Sequence, residues 1–306
     1  MSRVAVLDLG SNSFKILVAE GARVNGVFEA FEDVRLLESR DADAVSAEKF
    51  AEGVAAAKRL VEAARAFAPA ETLAVGTSVL RTATNARAFC EAVRAATGVP
   101  VRVLSGEEEA RGVARGVATD PLVNALPVAP AIFDLGGGSL EFIGSGGGTA
   151  RSWKLGAARM TRECVPHPRE RVPESALRAV RERVRLVAGT ELDARTSAET
   201  PLVFCGGVLA VAHRLLARKS GVEPGLFPRR LPTLRLELLL ERLARRTADE
   251  RVSEEGVPAA RADVMPAALA VVLEVADACG ASELIWSPRN LRYGVAAEAL
   301  DALRAA

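Results

Sequence analysis

One strand–turn–strand signature occurs twice in this chain. Leu7-Asp8-Leu9-Gly10-x-x-Ser13 and Phe133-Asp134-Leu135-Gly136-x-x-Ser139 set aspartate, glycine and serine at the same offsets, with apolar runs before and after each. An apolar run that breaks at such a turn and resumes reads as two adjacent strands joined by a tight connection. One copy in each half predicts a duplicated architecture, two like domains, and the 306 residues are enough for two domains of ordinary size.

The surrounding pattern agrees. In the first half, strands are predicted at 3–7, 14–19, 72–76 and 99–104. Helices are predicted at 47–67, with Ser46 as N-cap, at 85–97 and from 105 to about 117. A Pro-containing link over 119–130 marks the boundary, so the domains are read as 1–124 and 125–306. The second half restarts with strands at 131–134, 140–144, 202–205 and 284–287, a glycine-rich hairpin turn at 145–149, and helices at 174–189, 208–218, 234–247, 261–279 and 293–305. Alternation of this kind argues an α/β fold.

Composition removes several function classes. Lys+Arg 40 against Asp+Glu 39 leaves +1, so no bulk field recruits nucleic acid or an anionic membrane. Two histidines exclude a His-rich metal cluster. The four cysteines are scattered, which fits a reducing cytoplasm better than a disulfide framework or a zinc site. No apolar stretch reaches the roughly 20 residues that span a bilayer.

The two turns suggest chemistry. Glycine lets backbone N–H groups approach phosphate oxygens, and Ser and Asn side chains add donors. Gly10, Ser11, Asn12 and Ser13 form one candidate phosphate cradle, and Gly136, Gly137, Gly138 and Ser139 the other. Asp8 and Asp134 at the strand ends are hard oxygen ligands suited to Mg²⁺, and Glu141, seven residues after Asp134, could share that ion. Ser105-Gly106-Glu107-Glu108-Glu109-Ala110-Arg111 contains a capping box, Ser105 with Glu108. Helical spacing assigns Glu108 to a charged face with Arg111 and Arg115. It sets Glu109 beside Gly112, Val113 and Gly116, on a less polar face where a carboxylate suits general-base work. Arg81, after a strand end with Thr77 and Ser78, suits phosphate recognition. Cys205-Gly206-Gly207 opens a helix and offers an anion or nucleotide position, with Cys205 itself a small buried residue. Two Arg-rich stretches, 169–185 and 229–246, read as solvated faces or as a groove for a long polyphosphate.

Together these residues resemble the exopolyphosphatase / guanosine pentaphosphate phosphohydrolase family. That family belongs to the superfamily of acetate and sugar kinases, heat-shock ATPases and actin. The matching segments are 6–14, 77–85, 105–111, 132–141, 155–157, 205–207, 261–266 and 291–294, of which DLGSNS, SGEEEAR and DLGGGSLE are specific in this order. The resemblance implies two ribonuclease-H-like (actin-like ATPase) domains, mixed sheets flanked by helices, with an active cleft between them. It maps the catalytic glutamate to Glu108 or Glu109, and the helical argument favours Glu109. It maps phosphate binding to the two turns and Arg81, and metal binding to Asp134 and Glu141 with Asp8 near. The metal implied is Mg²⁺ or Mn²⁺.

The implied activity is hydrolysis of terminal phosphoanhydride bonds of inorganic polyphosphate, with guanosine pentaphosphate as the alternative substrate and a homodimer left open. Rivals are a phosphotransferase and an actin-like nucleotide-binding scaffold. The chain departs from many relatives in reading Leu-Arg-Tyr-Gly at 291–294, where they read Leu-Arg-Glu-Gly, and in lacking a threonine after Gly206-Gly207. It has too few histidines for the His/Asp domain that longer relatives carry.

Overall fold

The computed structural model describes residues 2–36, 43–193 and 199–305. The chain forms two compact units, Met1–Asn124 together with Arg289–Ala306, and Ala125–Pro288. The first unit begins with β1 (Arg3–Leu9), β2 (Ser13–Glu20), β3 (Asn25–Asp33), α1 (Ala47–Arg65), β4 (Glu71–Gly76), α2 (Ser78–Thr82), α3 (Ala86–Thr97), β5 (Val101–Val103), α4 (Gly106–Ala118) and α5 (Pro121–Asn124). The second holds β6 (Ala131–Leu135), β7 (Leu140–Ile143), β8 (Ala150–Trp153), α6 (Ala157–Cys164), α7 (Glu174–Val184), α8 (Thr190–Asp193), β9 (Leu202–Cys205) and α9 (Gly207–Lys219). It continues with β10 (Arg230–Pro232), α10 (Thr233–Ala244), α11 (Ala248–Ser253), α12 (Met265–Ala278) and β11 (Glu283–Trp286). Helix α13 (Leu291–Ala305) then returns to the first unit.

The duplication read from the two turns is a duplication of topology. The first sheet runs β3-β2-β1-β4-β5, and the second runs β8-β7-β6-β9-β11 with β10 added at its edge. In both, the two strands of the repeat pair antiparallel and the first of them pairs parallel with the next strand of the sheet. These are mixed α/β sheets, the fold class expected.

Alternation along β1 separates its two faces. Ala5, Leu7 and Leu9 pack with α1 residues such as Ala56, Ala57 and Leu60, whereas Val4 and Val6 pack with Tyr293, Ala296 and Leu300 of α13. Asp8 therefore shares the α13 face. In the second sheet, Phe133, Leu135, Leu140, Phe142, Trp153 and Phe204 enter the main core, which leaves Asp134, Glu141, Ser152 and Cys205 on the opposite face.

The structure revises the sequence reading at several points. The second domain, read as 125–306, ends at Pro288, and the last helix belongs with the first unit. Strands β3 and β8 and helix α6 were not anticipated. Strand β3 carries exposed or half-buried residues along its whole length, so period-2 patterning is weak. The helix predicted over 174–189 is α-helical only to Val184 and continues as a wider π turn over Arg185–Gly189. The helix predicted from 261 starts at Met265, where Pro266 occupies a first-turn position that needs no N–H.

Candidate active site

In the first unit the decisive contact is between α2 and α4. Arg81 Nη1 donates to Glu109 Oε2 at 2.5 Å and to the Leu104 carbonyl at 3.0 Å. Glu109 is 8% exposed and Arg81 is half-buried, so this is not a surface pair. Glu109 was expected among small, less polar neighbours, and the glycines are there, but its carboxylate faces a guanidinium.

Helix α4 is held in place by its small residues. A Cβ on Gly116 would lie 2.0 Å from the Asn290 carbonyl oxygen, and one on Gly294 would lie 1.8 Å from that of Gly112. Backbone meets backbone where α4 crosses α13, and Glu109 is carried on the same side of α4. The glycine of Leu291-Arg292-Tyr293-Gly294 is therefore a packing requirement.

Glu108 is occupied in another way. Ser105 Oγ accepts from the Glu108 N–H, Glu108 Oε2 accepts from the Ser105 N–H at 2.8 Å, and Arg102 donates to Glu108 Oε1 at 2.6 Å. The backbone bond to Ser105, followed by Arg102, holds its carboxyl down at about 2. The capping box stands as expected, whereas the ionic partner differs: Arg111 pairs with Glu107, and Arg115 with Glu298.

The first glycine turn is tied back through its carbonyls. Ser11 O accepts from Leu36 N–H, and Asn12 O from the N–H groups of Val34 and Arg35. A trans peptide points its N–H opposite its carbonyl, so these bonds also fix the direction of the next amides. Among the described residues, Asp8 Oδ1 and Asn12 Nδ2 are buried and have no hydrogen-bond partner, an acceptor and a donor beside the turn. Asp8 stands opposite Lys15 in the register, and burial pushes its carboxyl above the ordinary range against the opposing charges of Lys15 and Arg292.

The second turn is built similarly. Gly136 N–H closes it onto Ser139 O, while the N-terminal amides of α6 take its other carbonyls: Ala157 to Gly136 O, and Ala158 and Arg159 to Gly137 O. Gly156 permits the approach, since a Cβ there would lie 2.3 Å from Ser139 N. Asp134 stands opposite Glu141 across β6 and β7, and Glu141 opposite Ser152 across β7 and β8, with Ser152 Oγ donating to Glu141 Oε1 at 2.8 Å. Gly206, at φ +97°, runs against this pair: a Cβ would lie 2.8 Å from Asp134 Oδ1.

Two hard oxygen side chains in one cross-strand row fit Mg²⁺, which keeps several waters and uses one or two protein carboxylates. Among the described residues no group of three or more His, Cys, Asp or Glu could hold a metal ion by itself. Asp8, expected near the metal, belongs to the first unit with Lys15 opposite it. At Gly207, where α9 starts, a Cβ would lie 2.4 Å from Arg261 Nη2, so a guanidinium covers the helix start proposed for anions.

Cys205 is fully buried and donates to the Phe133 carbonyl. The Arg-rich stretches are largely ion-paired: Arg169 with Asp249, Arg178 with Glu174, Arg181 and Arg185 with Glu274, Arg242 with Glu255 and Arg246 with Glu254. Arg169 and Arg178 pair at the exposed surface, whereas Glu274, which takes Arg181 and Arg185, is itself buried. Sequence reasoning did not single out Lys15, Ser152 or Arg159, and it held Gly156 and Arg261 only within segments of family resemblance, without a role for either; their register and packing could be seen only once the strands were paired.

The model of the Ppx/GppA phosphatase family matches residues 17–303. The chain belongs to the Ppx/GppA phosphatase family. It is 31% identical to exopolyphosphatase 1 of Mycobacterium tuberculosis over 323 residues, covering 98% of this chain and 88% of that protein. An uncharacterized protein of Streptomyces coelicolor is 33% identical, covering 96% and 89%. Among solved structures, an exopolyphosphatase from Cytophaga hutchinsonii superimposes with a TM-score of 0.85 at 21% identity, covering 98% of each chain. The Aquifex aeolicus Ppx/GppA member superimposes with 0.78 at 22%, covering 99% and 98%. These likenesses carry the actin-like ATPase fold over nearly the whole Ppx/GppA chain. Among the described residues, no helix is long and apolar enough to cross a membrane.

Proposed function

We propose that this protein is an exopolyphosphatase that removes terminal phosphoryl groups from inorganic polyphosphate. The observation that carries the reading is the buried Glu109 carboxylate, oriented by Arg81 and backed by glycine packing. The turns Gly10, Ser11, Asn12, Ser13 and Gly136, Gly137, Gly138, Ser139 hold phosphoryl oxygens through outward amides and hydroxyls. Glu109 orients a water and takes its proton as the water oxygen bonds to the terminal phosphorus. The bridging P–O bond breaks in line, the leaving chain keeps the bridging oxygen, and orthophosphate departs. Asp134 and Glu141 would hold Mg²⁺, which when bound would supply positive charge against the phosphate oxygens. Arg81 orients Glu109 and adds a second cation.

Polyphosphate is favoured over guanosine pentaphosphate by the shortage of aromatic side chains, 4% of the chain, for a base pocket. A groove of ≈ 750 Å³ beside Arg81 and Ser105 and another of ≈ 560 Å³ between β4, α4 and α13 contain no aromatic side chain on which a guanine could stack. The scattered cysteines fit action in the cytoplasm.

The test is phosphate release from long-chain polyphosphate, guanosine pentaphosphate and ATP, compared by kcat/KM with Mg²⁺ present. Polyphosphate should lead. Preference for guanosine pentaphosphate would overturn the substrate, and filament formation with ATP without phosphate release would replace the enzyme by a scaffold.

A further inference from the structure

We propose that Arg159 is a positioning residue that aims the Ser139 amide at bound phosphate. The proposal rests on the reading of 136–139 as a phosphate cradle. Three consecutive peptide planes form that turn, and each carries a carbonyl on one side and the following residue's N–H on the other. Glycine offers little resistance to a peptide flip, which would present a carbonyl dipole to an anion instead of a donor.

Helix α6 pins the three planes in succession. Gly136 O is held by the Ala157 N–H, which directs the Gly137 amide outward. Gly137 O is held by Ala158 and Arg159 N–H groups, which directs the Gly138 amide. For the third plane the backbone of α6 gives no further donor. Arg159 Nε supplies it, donating to Gly138 O at 3.1 Å and so directing the Ser139 amide. The first two restraints come from main chain and are indifferent to side-chain identity at 157 and 158. The third depends on the side chain at 159. Glu163, one turn along, steadies the guanidinium at 3.4 Å, and the Arg159 side chain is 20% exposed. In the first turn, backbone amides from 34–36 hold the Ser11 and Asn12 carbonyls instead.

The experiment measures orthophosphate binding by calorimetry, together with polyphosphate turnover, for Arg159→Ala, Arg159→Lys and the control Arg178→Ala. Arg159→Ala should weaken orthophosphate binding and raise KM about tenfold, the scale of one charge-assisted hydrogen bond, with a smaller change in kcat. Arg159→Lys, which keeps a donor, should recover part of the loss, and Arg178→Ala should match wild type. Thermal midpoints should stay close to wild type. Unchanged binding and KM in Arg159→Ala would overturn the proposal. So would an equal loss in Arg159→Lys accompanied by a collapsed melting transition, which marks a purely structural role. If Arg159→Ala does not fold, Arg159→Met, which keeps the length of the side chain without its donor, decides by its orthophosphate affinity: wild-type affinity overturns the proposal, and a weakening without loss of fold supports it. A wild-type protein that releases no phosphate from any substrate would remove the proposed activity, while orthophosphate binding would still report on Arg159.

Discussion

Arg81 reaches Glu109 across 28 residues of sequence, and the same nitrogen also grips the Leu104 carbonyl one residue before the Ser105 cap of α4. One guanidinium thus ties the carboxylate to the entrance of the helix that carries it. Glu109→Gln should lower kcat by about 10²–10⁴, the range of general-base catalysis, while polyphosphate binding is largely kept. Arg81→Ala should lower kcat/KM as well, by loosening the same carboxylate. Single-turnover kinetics on both variants separates the two effects.

Glu108→Gln should remain active and lose some stability through its cap and its Arg102 pair. The sign follows from the held-down carboxyl. With a folded value of about 2 against an ordinary 4.5, the stabilisation is complete above 4.5 and is lost as pH falls through about 2. The melting difference between wild type and Glu108→Gln should therefore be constant above pH 5 and fade below it. A variant as inactive as Glu109→Gln would reverse the assignment of the two glutamates.

Asp8 runs in the opposite direction. Burial raises its carboxyl, so the ionised form costs stability: the fold is favoured below the unfolded value, and that advantage is lost as pH rises through the folded one. Asp8→Asn should melt higher than wild type at neutral pH, lose that gain in acid, and turn over more slowly. Melting curves at pH 4 and pH 7.5 check it.

Asp134→Asn or Glu141→Gln should raise the Mg²⁺ concentration needed for half-maximal activity and reduce the thermal stabilisation that Mg²⁺ gives. EDTA should abolish phosphate release and fresh Mg²⁺ should restore it.

Gly294→Ala forces a methyl to within 1.8 Å of the Gly112 carbonyl. Neither backbone can yield cheaply, so stability should fall by about 2 kcal/mol or more, and activity with it as Glu109 shifts. Urea denaturation gives the first quantity directly.

The duplicated turns were legible because aspartate, glycine and serine are required by geometry that local sequence expresses. The different surroundings of Glu108 and Glu109 were legible because a capping box claims one of two adjacent carboxylates. What escaped was set by distant packing. No local signal says which sheet α13 covers, although Gly112, Gly116 and Gly294 hint at a close helix crossing. Helix α6 is a single eight-residue element whose first amides hold the turn and whose Ala157 and Met160 enter the core. The register that sets Lys15 opposite Asp8 and Glu141 opposite Asp134 emerged only from the paired strands.

The return of α13 to the first unit also orders events in time. During synthesis, α4 emerges from the ribosome well before the helix whose glycine it must meet. The first unit therefore waits, α4 undocked, until the whole of the second has been made. A chain stalled or clipped at Pro288 would carry Arg81, Glu109 and both glycine turns and still lack the backbone surface against which Glu109 is set.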